Sequence, residues 1–245
     1  SAALPFTCFH RLGSMSRRIR LDGELLPGIS GTLVYAAFSH TRHTTQGLEI
    51  DSHYPILWTW DFNVSPMCSL ICQWKNGRLF FIKELWMEEG SIPEMCDTFM
   101  GIVRTQYTVW VYGDATGKAI SAHTRQTSYQ IIANELTSRG YIVKMHVPES
   151  NPSVVDRINA VNVAMSSHEG ESKIVADSSC KELITDFESV VYDKNNGIKK
   201  VSEHSDPYRW RTHTSDAAGY VVHRLMPVKV WKSGQSTKIK QVVYG

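Results

Sequence analysis

The segment that most constrains this chain runs from Pro55 to Trp86, where three apolar runs follow one another with little between them. Ile56-Leu-Trp-Thr-Trp60 ends in Asp61, and Met67-Cys-Ser-Leu-Ile-Cys-Gln-Trp74 begins after a short turn. Lys75-Asn-Gly77 is a hairpin signal, and Arg78-Leu-Phe-Phe-Ile-Lys-Glu-Leu-Trp86 returns the chain. Such runs predict three consecutive antiparallel strands, which commits the chain to a sheet. Asp61 sits uneasily there, because an unpaired buried carboxylate costs several kcal/mol. It either starts a turn or belongs to a site, and recurrence of the arrangement downstream favours a site.

Ser91-Ile-Pro-Glu94 predicts a helix start, with the helix reaching about Arg104 and Ile92, Met95, Cys96, Phe99, Ile102 and Val103 inward. Thr108 to Asp114 is a fourth strand, again ending in a carboxylate, followed by a polar loop from Ala115 to Gln126. Thr127 and Gln130 form a capping-box pattern for a helix to about Arg139, which Gly140 ends, and Tyr141 to Met145 is a fifth strand. Asn151-Pro152 is read as the start of another helix, with Val154, Ile158, Val161 and Met165 along one face. Ile174 to Ala176 is a short strand, Asp177 the expected cap of a helix to about Val191, and Thr214 to Met226 a last helix. Upstream, Thr32 to Phe38 is a strand candidate leading into a polar stretch from Ser39 to Asp51.

Three antiparallel strands followed by strand–helix alternation predict an α/β fold: a central mixed sheet, later strands added in parallel, helices on both faces. The ribonuclease H-like fold has this order. The expected domain spans residues 31–226. Residues 1–30 read as an irregular segment with basic Arg17, Arg18 and Arg20, and residues 227–245 as a tail. Gly13-Ser14-Met15 resembles a cloning junction, so the first fourteen residues are expected to be vector-derived.

The formal net charge is +2, so a polyanion would have to be held by local basic patches rather than by a global field. Five cysteines without a regular framework suit reduced thiols. Cys68 and Cys72 share a strand face, but no second Cys or His pair at metal spacing accompanies them, so zinc is not implied. No apolar run is long enough for a membrane helix and no signal peptide is recognisable, so an intracellular, soluble protein is expected.

Asp61 and Asp114 end the first and fourth strands, and Asp216 opens the last helix. If the two strands are neighbours, the two carboxylates stand side by side, and a helix crossing that edge adds the third. Three carboxylates so close raise one another's pKa unless a cation neutralises them. Oxygen-only ligands select hard ions, here Mg²⁺ or Mn²⁺, and such a cluster suits two ions roughly 4 Å apart acting on a phosphodiester.

Trp60-Asp-Phe-Asn-Val-Ser-Pro66, Tyr112-Gly-Asp-Ala-Thr-Gly117 and His213-Thr-Ser-Asp-Ala-Ala-Gly-Tyr220 together resemble the three motifs of the nuclease domain of tailed-phage large terminase subunits. The similarity runs from about residue 20 to 226 and includes Leu21-Asp-Gly-Glu24, Val34-Tyr-Ala-Ala-Phe38 and Asp156-Arg-Ile-Asn-Ala-Val-Asn162. The resemblance implies a metal-dependent endonuclease that cuts concatemeric double-stranded DNA in the host cell cytoplasm; little sequence specificity is expected, because the chain shows no recognition helix with base-reading residues. It implies Asp61, Asp114 and Asp216 as metal ligands, an ATPase motor domain N-terminal to the nuclease, and portal protein and small terminase subunit as partners. Gly113-Asp-Ala-Thr-Gly-Lys118 falls one residue short of a nucleotide-binding loop and is not read as one.

His213 faces the scissile phosphate as a cation or proton donor, or is merely a helix-start histidine. Asn63 either bonds near the metals or shapes the turn, and Glu84 is either a further acidic group or an edge charge. Lys118, His123 and Arg125 after the fourth strand, and Lys199, Lys200, Arg209 and Arg211 before the last helix, are candidate DNA-binding residues, against ordinary solvated loops. Trp58 and Trp60 read as core, and Arg157 as a helix ion pair or a brace for the site. Two other functions stay open: a different ribonuclease H-like DNA-cleaving enzyme, of resolvase or transposase type, and a non-catalytic DNA-binding or docking module.

Overall fold

The computed structural model describes residues 32–63, 65–121, 125–166, 172–195, 197–201 and 207–228, together with the backbone of residues 20–21 and 24–25. His123, Arg17, Arg18, the Gly13-Ser14-Met15 junction and all of the expected tail but its first two residues lie outside them. Within the segment read as irregular, Arg20–Leu21 (β1) pairs antiparallel with Glu24–Leu25 (β2).

The expected meander is present: Ile56–Asp61 (β4), Met67–Lys75 (β5) and Arg78–Met87 (β6) pair antiparallel in succession. Asn76 and Gly77 both take positive φ, 52° and 77°, the geometry that a two-residue hairpin demands. Thr108–Gly113 (β7) lies parallel beside β4, and Ile142–Met145 (β8) parallel beside β7. On the other side Ile174–Asp177 (β9) runs parallel to β6 and is flanked by Thr44–Thr45 (β3). The seven-stranded order is β3-β9-β6-β5-β4-β7-β8, a mixed sheet as expected, with the antiparallel meander at its centre and the later strands added in parallel on both sides.

Helices cover both faces, and strand alternation decides which residue meets which. Ile56, Trp58 and Trp60 enter one core with Met95 and Phe99 of helix Ile92–Ile102 (α2) and Ile132 and Leu136 of helix Ser128–Thr137 (α3). Trp58 stacks on Phe99 with ring centroids 3.9 Å apart, so both tryptophans are core. Leu57 enters the opposite core with helices Val154–Met165 (α4), Lys181–Ser189 (α5) and His213–Leu225 (α6). Thr59 is on that second face, where its hydroxyl donates to the Ala217 carbonyl at 2.7 Å. Asp61 has the same parity. On β7, Val109 and Val111 enter the first core and Tyr112 the second, which puts Asp114 on the side of Asp61.

Several local expectations are corrected. Thr32 to Phe38 forms no strand: Leu33 makes one bridge to Val191, and Asn162 bonds both the Val34 carbonyl and the Ala37 amide, holding a turn. The polar stretch after it contains a short helix, His40–His43 (α1), as well as β3. Ile102 is exposed, because α2 ends there and its last inward positions are Phe99 and Val103. Ser153, not Asn151, caps α4, which leaves Val154 outside and Asn151 free for another task. Asp177 ends β9 and accepts from the Leu48 and Ser179 amides, while Cys180 takes the cap position of α5.

Candidate active site

The ladder between β4 and β7 pairs Trp60 with Gly113, so the next residues, Asp61 and Asp114, leave two adjacent parallel strands side by side. Glycine is required at that junction. Gly113 has φ +149°, and a Cβ there would lie 2.7 Å from the Trp60 carbonyl oxygen and 2.9 Å from the Tyr129 hydroxyl. The first turn of α6, fixed to β4 by the Thr59–Ala217 bond, brings Asp216 to the same place. Burial pushes the Asp61 carboxyl above its ordinary pKa; the His213 hydrogen bond opposes that, and the Asp216 and Asp114 charges add to it. Asp61 therefore feels the charges of both other sequence-predicted carboxylates.

Each carboxylate is held through one oxygen. Asp61 Oδ2 accepts a short bond from Asn63 Nδ2 and lies 3.1 Å from His213 Nδ1. Asp114 Oδ1 accepts from the Thr116 amide at 2.7 Å, capping a 3-10 turn at Ala115–Lys118, and from Asn151 Nδ2 at 2.6 Å. Asp216 Oδ1 accepts from Arg157 Nη1 at 2.7 Å, and the Arg157 guanidinium lies 4.4 Å from the centre of the Tyr220 ring. Burial works against the Arg157 charge, but Asp216, Tyr220 and Tyr35 together outweigh it and hold the guanidinium pKa above its ordinary value. Arg157 is thus the brace and the ion pair at once. The second oxygen of all three carboxylates has no hydrogen bond among the described residues.

That donor set suits a hard divalent ion. Among the described residues no group of three His, Cys, Asp or Glu forms a ready-made metal cage. Mg²⁺-like ions do not need one, since they keep several waters and use one or two carboxylates. Three carboxylates, each with one oxygen that has no hydrogen bond among the described residues, one of them with its charge disfavoured by burial, are groups such an ion would neutralise.

Further buried acids lie behind the site. Thr212 enters α6 with φ +83° and no side-chain cap of its own. The buried Asp186 carboxylate accepts from the Ser215 amide at 3.0 Å, while Arg211 sits 3.3 Å from its other oxygen. Burial pushes Asp186 up to about 6 against the pull of Arg211. Glu84 is not a solvent-facing edge charge. It caps α5, accepting from the Glu182 and Leu183 amides at 3.1 and 2.7 Å, and burial pushes its pKa up to about 7.

The candidate DNA-binding residues separate. Arg211 is nearly buried and engages Glu182 as well as Asp186, so it is committed inward rather than to DNA. Lys200, Arg209 and His213 line an open cleft of about 530 Å³ on the Asp61 side of the carboxylates. Arg209 stacks 3.9 Å over Trp210 and reaches Glu88 at 3.2 Å, and the Lys199 ammonium lies 4.8 Å over Tyr208. Lys118, next to Asp114 in space, reaches the exposed Glu149 at 3.3 Å, and Arg125 is exposed with φ +53°. Asn151 and Tyr129, whose hydroxyl donates to the Asp114 carbonyl at 2.7 Å, carry no sequence signal that marks them as site residues. Asn-Pro before an apolar run is an ordinary helix-start signal and conceals the first.

A family model described as the terminase RNaseH-like domain matches residues 58–218, well over half of the chain. No curated protein matches. Among solved structures, the nuclease domain of the P22 large terminase is similar at 14% identity and TM-score 0.55, over 79% of this chain and 91% of that one. A large terminase from a thermophilic bacteriophage is similar at 19% identity and TM-score 0.53, over 81% of this chain. The match spans 46% of that thermophilic phage protein, less than half its length. At these identities the two structures speak for the fold.

Proposed function

The chain belongs to the terminase RNaseH-like domain family, and from that premise we propose that it is a divalent-metal-dependent endonuclease cutting concatemeric double-stranded DNA by two-metal hydrolysis. One observation supports this above all. Asp61, Asp114 and Asp216 meet at the ends of two parallel strands and the start of a helix, each with one oxygen held and one unbonded among the described residues. Those three would hold Mg²⁺ or Mn²⁺, and the ions, when bound, would supply the charge that activates a water and stabilises the leaving 3′ oxygen.

The protein's own groups orient and move protons. Asn63 and His213 fix Asp61, and a protonated His213 would also be a donor facing the phosphate. Asn151 and the Thr116 amide fix Asp114, and Arg157 fixes Asp216. Lys200 and Arg209, with Lys118 and Arg125 across the site, are proposed to hold backbone phosphates without reading bases.

The nuclease unit is taken as residues 31–226, with 1–30 as linker or vector-derived residues and 227–245 as tail. An ATPase motor preceding it is consistent with the chain matching under half of the thermophilic phage terminase. Portal protein and small terminase subunit are the proposed partners, and the host cytoplasm the proposed location. Among the described residues no helix is long and apolar enough to cross a membrane.

The test is plasmid nicking and linearisation in Mn²⁺, Mg²⁺ or EDTA, with wild type beside Asp114→Asn. Metal-dependent cutting that disappears in the variant is expected. Undiminished cutting by the variant would remove Asp114 from the site, and preference for branched over linear duplex would move the reading to a resolvase-type enzyme.

A further inference from the structure

On the Asp114 side of the carboxylates lies a second, more enclosed cleft of about 200 Å³, lined among others by Tyr112, His146, Asn151, Tyr220, His223 and Arg224. It abuts the site directly. Gly113 forms part of its wall, Asn151 is the residue that donates to Asp114, and Tyr220 carries Arg157 on its ring face. His146 is held against the sheet by stacking on Trp110 and Tyr112, at 4.8 and 5.2 Å, and its amide extends the β7 pairing by bonding the Val111 carbonyl.

Three basic groups therefore share one small space. None of His146, His223 and Arg224 has a carboxylate within ion-pairing distance among the described residues. Burial is the first cause that lowers both imidazole pKa values; the Arg224 charge lowers both further, and Asp156 partly opposes this at His223. The cleft by itself therefore favours neutral imidazoles beside one guanidinium, each still able to donate an N–H, and an anion seated there would favour their charged forms, whose hydrogen bonds are the strong ones.

We propose that this cleft seats a backbone phosphate of the bound DNA, adjacent along the strand to the phosphate being cut, with Arg224, His146 and His223 as its donors. The volume admits a phosphate and part of its sugar but not a base pair. With the Lys200–Arg209 cleft on the opposite flank, a duplex crossing the carboxylates meets basic groups on both sides. The inference rests on the nuclease reading above and deepens it by assigning where the strand is gripped.

The test measures binding of a fluorescein-labelled duplex by anisotropy, in EDTA to prevent cutting, across a salt series, for wild type, Arg224→Gln, Arg224→Glu and Arg224→Lys. Losing one phosphate contact lowers the slope of log K against log salt by about 0.9. Arg224→Gln is expected to show that loss and about tenfold weaker binding, the size of one charge-assisted hydrogen bond. Arg224→Glu should bind more weakly still, and Arg224→Lys should recover the slope. Thermal melting and Mn²⁺ calorimetry on the same proteins show whether the fold and the carboxylates are intact. If wild type binds and cuts DNA while both charge-removing variants keep its affinity and slope, the cleft assignment is wrong and the nuclease stands. If wild type neither binds the duplex nor cuts with metal, the nuclease reading falls and takes the cleft with it.

Discussion

Replacing Arg157 by methionine isolates what holds Asp216 in place. The Arg157 side chain is 8% exposed and that of Asp216 16%, so the pair is largely withdrawn from water. Removing one partner of a buried pair typically costs 3–5 kcal/mol, because the other charge is left uncompensated. The residual exposure of Asp216 places the cost at the low end, about 3 kcal/mol, with the lost stacking on Tyr220 offset by the apolar methionine. For a domain of this size that lowers the melting temperature by roughly 6–12 °C. The assay is urea or thermal unfolding in EDTA, followed by tryptophan fluorescence, for Arg157→Met, Asp216→Asn and the double variant. The double variant should recover about 2 kcal/mol of the summed losses, since neither charge is then stranded. Additivity of the two single losses within about 0.5 kcal/mol would refute the reasoning, as it would mean that the two groups do not feel each other.

Three further outcomes follow from the structure. Glu84 ionises near its ordinary value of 4.5 when unfolded but at about 7 when folded, so between these values the native state holds a proton that the unfolded chain has released. Stability contributed here is present at low pH and falls as pH rises through that window, by about 3 kcal/mol; denaturant midpoints from pH 4.5 to 8 should show the decline, and Glu84→Gln should flatten it. Gly113→Ala forces a methyl onto the Trp60 carbonyl in a left-handed backbone and should cost about 3 kcal/mol, read by the same unfolding. Mn²⁺ at a hundred times its dissociation constant should stabilise the wild type by about 2.7 kcal/mol, and EDTA or Asp61→Asn should abolish the gain; an equal gain in the variant would place the ion elsewhere.

Much of this architecture is legible in the sequence because its signals are local. The Ser91 helix start, the Thr127–Gln130 capping box, the Asn76-Gly77 hairpin and the period-two alternation of β4 are properties of short segments, and all are found as read. The three carboxylates can be placed because strand ends and a helix start are themselves local features. What cannot be read depends on partners far along the chain. Glu84 resembles an edge charge because the α5 amides it caps lie almost a hundred residues away. Arg211 resembles a surface cation because nothing nearby in sequence announces buried Asp186. Val34 and Tyr35 resemble a strand because both are buried, yet the segment pairs with residues 190–192 through a single bridge and turns away before a ladder forms. Asn151 fits a cap so well that its reach to Asp114 is invisible.

The pairing of Trp60 with Gly113 has a consequence for how such a domain can diverge. A slip of one residue between β4 and β7 would turn Asp114 to the opposite face, and a slip of two would move it about 7 Å along the strand. The distance between Asp61 and Asp114 therefore depends on the number of residues within each strand and not on the number between them. The connection through α2 can lengthen, shorten or acquire a new loop without altering that distance, at an entropic cost that grows only slowly with length. A single-residue deletion inside either strand has no such latitude: it would leave a folded sheet with one carboxylate facing the wrong core.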